Sequence, residues 1–151
     1  MSLEKAKYQA IKFLAYRPRT VQEVRNYLQK KLYNPEVIIE VIDYLKEQSY
    51  LDDNKFCELW IENRSRFKPR GKNGLFFELK GKGIDSSLIE EAISQNYPPE
   101  KELEIAKDLV DQKLMMLYSN SPNANEKIMA YLYRRGFTIS IIQKIISEIK
   151  Q

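Results

Sequence analysis

The chain has 151 residues, 43% of them apolar and 30% charged, with 25 lysines and arginines against 21 acids for a net charge of +4. That balance excludes a disordered polyelectrolyte, and no apolar run approaches the roughly 20 residues a membrane-spanning helix needs. There is no histidine, which removes the commonest general base, the Ser-His and Cys-His nucleophile pairs and most zinc sites.

The single cysteine, Cys57, cannot form an internal disulfide. Residues Met1 to Lys7 carry Glu4, Lys5 and Lys7 without the apolar core of a signal peptide, so a cytoplasmic location is expected.

Helical periodicity runs through the whole chain, and strand alternation is nearly absent. Ala6, Ala10, Phe13 and Leu14 mark a first helix face, ended by Arg17-Pro18-Arg19. Thr20 with Glu23 three residues on reads as a capping box opening a second helix, whose face is Val21, Val24, Tyr27 and Leu28. Asn34-Pro35 opens a third, with Val37, Ile38, Val41, Ile42 and Leu45 as its buried face.

A second triplet follows Tyr50-Leu51-Asp52-Asp53. Its first face is Phe56, Cys57, Trp60 and Ile61, and Lys68-Pro69-Arg70-Gly71 ends that helix. Leu75, Phe76 and Leu79 carry the next helix, Gly83 closes it as a left-handed cap, and Asp85 caps the one holding Leu88, Ile89 and Ala92. A third triplet opens at Pro98-Pro99, runs to Leu117, turns through Ser119 to Asn123, continues with Ile128, Tyr131 and Leu132 to Gly136, and starts its last helix at Thr138.

The three triplets are copies. Val24, Leu28, Lys31, Leu32, Tyr33, Val37 and Val41 recur as Leu75, Leu79, Lys82, Gly83, Ile84, Leu88 and Ala92, and again as Ile128, Leu132, Arg135, Gly136, Phe137, Ile141 and Ile145, offset by 51 and then 53 residues. The expected fold is therefore all-α: three tandem three-helix repeats, about nine helices, stacked into an elongated curved module. The expected repeats are about 5–50, 53–96 and 98–150 of a single module.

Charge is concentrated within the second copy. From Arg64 to Lys82 seven basic residues face one acid, Glu78, for a local charge of +6. Such a stretch is the footprint of phosphate or of an acidic protein face, although a solvated surface has the same composition. The basic residue before each glycine is first of all a helix-end charge on the negative end of the dipole, with binding as an added role.

Trp60 and Cys57 share an apolar face and read as core or inter-repeat contacts. Tyr16, Tyr33, Tyr131 and Tyr133 lie near the basic turns, where tyrosine suits protein interfaces or single-stranded nucleic acid. Asp52-Asp53 reads as helix-start residues rather than as a metal site.

Several segments, in order and at their spacing, resemble the RecX family, bacterial regulators of the recombinase RecA. They are Leu14-Ala15-Tyr16-Arg17-Pro18-Arg19-Thr20, Tyr50-Leu51-Asp52-Asp53-Asn54-Lys55-Phe56-Cys57, Trp60-Ile61-Glu62-Asn63-Arg64, Lys68-Pro69-Arg70-Gly71, Glu78-Leu79-Lys80-Gly81-Lys82-Gly83-Ile84-Asp85 and Tyr131-Leu132-Tyr133-Arg134-Arg135-Gly136-Phe137. Leu32 departs from the family's glycine and Cys57 from its usual alanine, and the third copy is the least typical.

The resemblance implies a non-enzymatic monomer without cofactor. It would lodge in the groove of the RecA filament on single-stranded DNA and restrain strand exchange, ATP hydrolysis and co-protease activity, with weak non-specific contact to single- or double-stranded DNA. Arg64, Arg66, Lys68, Arg70, Lys72 and Lys82 would carry the central contacts, and Arg17, Arg19, Lys31, Arg134 and Arg135 would extend them. The alternative is a helix-turn-helix DNA-binding protein acting without RecA. It is disfavoured because the third helices offer Glu40, Asp43, Glu90 and Glu91, not base-reading side chains.

Overall fold

The structure, a computed structural model, describes residues 2–149; the expected end of the third repeat at residue 150 lies outside them. The first triplet is α1 (Leu3–Tyr16), α2 (Val21–Lys30) and α3 (Pro35–Glu47), and the second is α4 (Asp53–Arg66), α5 (Lys72–Gly81) and α6 (Ser86–Asn96). In the third, α7 (Pro99–Leu109) runs through a π-helical turn (Val110–Leu114) into α8 (Met115–Tyr118), followed by α9 (Ala124–Arg134) and α10 (Ile139–Ile149). With α7, the π turn and α8 forming one rod, the described residues make nine helical rods and no strand. None of the helices is long and apolar enough to cross a membrane.

The helix starts follow from the residues expected to make them. Thr20 Oγ1 accepts from Glu23 N at 3.1 Å while Glu23 Oε1 accepts from Thr20 N at 3.0 Å, a closed capping box. Asp52 accepts from Lys55 N, and Asp85 from Ser87 N. Asn34 stands at the start of α3 but makes no side-chain cap bond; Pro35, its φ already helical, sets that start instead. Tyr33, read beside the basic turns, is buried, and its hydroxyl donates to Gln9 Oε1 at 2.7 Å.

Each triplet encloses its own small core. The first is built on Ala6, Ala10, Val24, Leu28, Val41 and Leu45; the second on Cys57, Ile61, Leu75, Leu79 and Ile89; the third on Ala106, Leu114, Ile128, Leu132 and Phe137. Among the described residues only Ile105 packs against two of them. Three cores in series leave more surface than one: the accessible area is 9553 Å², against about 8000 Å² for a compact monomer of this length. Burial also pushes the Cys57 thiol up to about 11, so it stays protonated packing material at neutral pH.

The triplets are joined by one repeated device. The turn after the second helix of each later unit lies across the start of the second helix of the unit before it. At the first seam Thr20 Oγ1 donates to the Lys82 carbonyl at 2.8 Å. At the second, Gly71 N donates to the Arg135 carbonyl and Asn73 N to the Gly136 carbonyl, both at 2.9 Å.

This crossing leaves no room for side chains. A Cβ on Gly136, whose φ is +89°, would lie 2.0 Å from Gly74 N, and one on Gly83, at φ +85°, would lie 2.5 Å from Gln22 Cβ. Leu32 holds the equivalent place in the first unit at φ +67°, and its side chain is 80% exposed. No unit among the described residues crosses that turn, so the leucine fits sterically but carries left-handed strain.

Carboxylates reinforce the seams. Asp53, opening α4, accepts from Val21 N at 3.0 Å at the start of α2. Glu102, 3% exposed on α7, accepts from Lys72 N at 2.9 Å and from Thr138 N at 3.4 Å, binding the starts of α5 and α10 together. Negative charge is favourable at both helix starts.

Two substitutions at equivalent turn positions should act in opposite directions in urea unfolding. Gly136→Ala should cost about 3 kcal/mol or more, from left-handed strain plus backbone overlap. Leu32→Gly should be neutral to stabilising by up to about 1 kcal/mol, because strain relief outweighs the added chain entropy.

A cationic ridge across the repeats

The basic residues become a site through the seams that gather them. Glu23, already held by the capping box, accepts an ion pair from Arg17 at 3.3 Å and lies 3.7 Å from Lys82 Nζ across the first seam. Lys82 sits over the Trp60 ring at 5.2 Å, with Arg64 on the same ring at 5.1 Å. Trp60 stacks on Phe56 and donates its indole N–H to Glu78 Oε1 at 3.1 Å.

The other oxygen of Glu78 accepts from Arg64 at 2.7 Å. Arg70 Nε lies 3.0 Å from that oxygen, close enough for charge attraction but off the hydrogen-bond axis, so this buried N–H has no acceptor. Arg135, from the third unit, donates to the Lys68 carbonyl at 2.8 Å and to the Pro69 carbonyl at 3.0 and 3.1 Å. Burial, and then the nearby Arg70, lower its affinity for its proton relative to a free guanidinium.

The first unit solves the same local problem with rings. Positions occupied by Arg64, Glu78 and Arg70 in the second unit are Phe13, Tyr27 and Arg19 in the first, 51 residues earlier. Phe13 and Tyr27 stack at 4.2 Å with 11° between planes, and Arg19 lies 3.9 Å over Phe13. Burial first, then repulsion from Arg17, makes Arg19 a weaker base than usual. Lys31 lies 5.6 Å over the Tyr27 ring, which brings it to the same strip.

The ridge thus joins Arg17, Arg19, Lys82, Arg64, Arg70 and Arg135 from all three units, against two carboxylates, Glu23 and Glu78. Lys68 and Lys72 are exposed beside it, and neither meets a carboxylate within 4 Å among the described residues. Arg66 projects away from the strip and pairs with Glu62 on its own helix at 3.1 Å. Arg134 is exposed at the end of α9, apart from these contacts.

Two hubs were not read as such in the sequence. Glu78 appeared only as the lone acid of a basic segment, and Glu102 was not singled out. Glu78 gave one signal, a single acid amid seven cations; Glu102 gave none, because its partners are backbone amides 30 and 36 residues away. Asp52 and Asp53 diverge to cap different helices, as helix-start residues.

An all-α tandem-repeat protein with an electropositive face is therefore the class this fold and ridge define. Models of the first, second and third three-helix domains of RecX match residues 6–45, 52–93 and 100–146. The chain belongs to the RecX family.

It is 37% identical over 149 residues to the regulatory protein RecX of Bacillus pumilus (strain SAFR-032), covering 97% of this chain and 56% of that protein. To the regulatory protein RecX of Bacillus subtilis (strain 168) it is 32% identical over 146 residues, covering 93% and 53%. The chain thus spans about half the length of the curated relatives it matches. The crystal structure of RecX from Lactobacillus salivarius superposes with a TM-score of 0.89 at 27% identity, covering 98% of this chain and 96% of that one.

Glu78→Gln keeps an acceptor for Trp60 but removes the negative charge between two arginines. It should lower unfolding free energy by about 1–3 kcal/mol, measured by urea denaturation, and the loss should shrink as salt screens the uncompensated cations.

Proposed function

We propose that this protein binds the RecA filament on single-stranded DNA and restrains RecA's recombinase, ATPase and co-protease activities, as a cytoplasmic monomer that catalyses no reaction itself. The observation that supports this most is the ridge, in which six cations from three successive repeats line one strip against only two acids. A groove beside a nucleic-acid backbone is electronegative, and such a strip would steer approach and hold register along it. Contacts from successive repeats add as a multivalent set, so each can be weak while the whole is firm. The family membership and the relatives' designation as regulatory proteins point the same way.

The cations divide by duty. Arg135, Arg70 and Arg64 are held by carbonyls or by Glu78 and act as a fixed field. Arg17, Lys68 and Lys72 are more open and make the direct contacts, Lys82 is as covered as Arg64 and Arg70 and belongs with the fixed field, and Arg66, Arg19, Lys31 and Arg134 stand at the margins. A sequence-reading helix-turn-helix role has less support, because α10 buries Ile141, Ile142, Ile145 and Ile146 and α3 turns Glu36, Glu40 and Asp43 outward.

The test is co-sedimentation with RecA filaments on single-stranded DNA, together with RecA ATPase inhibition, for a triple variant Arg17→Glu, Lys68→Glu, Lys72→Glu. All three side chains are exposed, so the fold should survive. We expect filament affinity to fall at least tenfold and inhibition to be lost. Undiminished inhibition by the folded variant overturns the assignment of the ridge, and failure of the unmodified protein to sediment with filaments overturns the RecA reading.

A further inference from the structure

One corner recurs whose leading aromatic ring takes no part in packing. Tyr16-Arg17-Pro18-Arg19 closes the first helix of the first unit, and Phe67-Lys68-Pro69-Arg70 closes that of the second, 51 residues on: an aromatic ring, a cation, a proline and an arginine. Tyr16 is 78% exposed and Phe67 66%. Neither ring belongs to a core, and neither stacks on another ring among the described residues.

A single outward aromatic is ordinary on a protein surface. Here the same position repeats it, beside a cation that faces solvent, Arg17 or Lys68. The arginine that ends each corner, Arg19 or Arg70, keeps a buried Nε–H with no acceptor in both copies. In the third unit the corner reads Asn120-Ser121-Pro122-Asn123: the proline stays, while the ring and both cations are gone.

We propose that Tyr16 and Phe67 are two base-stacking platforms for single-stranded DNA, with Arg17 and Lys68 on the flanking phosphates. Every base offers a π-face, so an exposed ring beside a cation binds unpaired strands with little sequence preference. The ridge runs from Arg17 in one corner through Lys82 and Arg64 to Arg70 in the other and gives the backbone a positive path between them. The third unit lacks the corner and takes no base. This assignment does not require RecA.

The experiment is fluorescence anisotropy of a labelled oligo-dT strand titrated with the full chain, without RecA, across a series of salt concentrations. Tyr16→Ala and Phe67→Ala should each weaken binding by roughly 5- to 100-fold while leaving the slope of log affinity against log salt unchanged, because no phosphate contact is lost. Tyr16→Trp and Phe67→Trp should retain binding. Lys68→Ala should lower the slope by about 0.7.

Phe77→Ala removes an aromatic that is 78% exposed on α5 outside such a corner, and it should bind as the unmodified chain does. A duplex of the same length should bind more weakly than the single strand, since its bases are already stacked.

The proposal is overturned if the alanine variants bind oligo-dT normally, if Phe77→Ala loses as much as they do, or if duplex binds as tightly. It is equally overturned if the unmodified chain binds no oligo-dT. If Tyr16→Ala and Phe67→Ala instead lose only filament co-sedimentation, the rings are protein anchors and not base platforms; that result would leave the RecA reading standing.

Discussion

The whole assembly depends on a backbone crossing. In each later unit the turn between second and third helices comes so close to the preceding unit that its carbonyls accept directly from it, from the Thr20 hydroxyl at the first seam and from the Gly71 and Asn73 amides at the second, and no Cβ fits between them. That approach requires glycine at Gly83 and Gly136, and it aligns the starts of α2 and α5 with the turns above them. Once aligned, those helix starts offer unpaired N–H groups, which Asp53 and Glu102 satisfy from the next unit's first helix. The basic residue just before each glycine is then carried to the seam, where Lys82 meets Glu23 and Arg135 meets the Lys68 and Pro69 carbonyls of the preceding unit. Fold, capping and charge pattern are three results of one steric condition.

This explains why the basic turns serve structure and electrostatics together. Lys82 offers its carbonyl to Thr20 and its ammonium to Glu23 and Trp60. Arg135 offers its carbonyl to Gly71 and its guanidinium to the corner at Lys68 and Pro69. In neither case does holding the seam consume the charge: a guanidinium bonded to carbonyl oxygens remains a full cation. The interface therefore presents a positive field from side chains already fixed in place, which lowers the ordering entropy that binding would otherwise require.

Much of this was legible from residue order. Periodic apolar positions gave the helices, because burial against a neighbour enforces the 3.6-residue spacing. Thr20 with Glu23, Asp85 and Gly83 marked helix ends, because caps are local chemistry. The threefold copy gave the architecture, and of the two places open to Trp60, core or inter-repeat contact, the structure shows the first: it packs on the core of its own unit. What stayed hidden is non-local. Tyr33 looked like a surface tyrosine until its partner Gln9, 24 residues away, was folded against it. Glu102 and Asp53 act on backbone amides, which leave no trace in side-chain identity. The exchange of a ring pair, Phe13 and Tyr27, for an ion pair, Arg64 and Glu78, shows why copies can share so few identities: the contact survives while its chemistry changes. Leu32 was legible as an exception but not as a sign of which turn goes uncrossed.

The two seams are not equally fastened. Between the first and second units the polar links are Thr20 to Lys82, Val21 to Asp53 and one long ion pair. Between the second and third they are two backbone bonds, Lys72 to Glu102, Lys101 to Asn96, and the arginine clamp on Lys68 and Pro69. Thermal bending of such a ribbon concentrates where the fewest links resist it. The first seam, with fewer polar links, is therefore where bending is expected, which would let the leading third tilt against the other two and carry Arg17 and Arg19 with it.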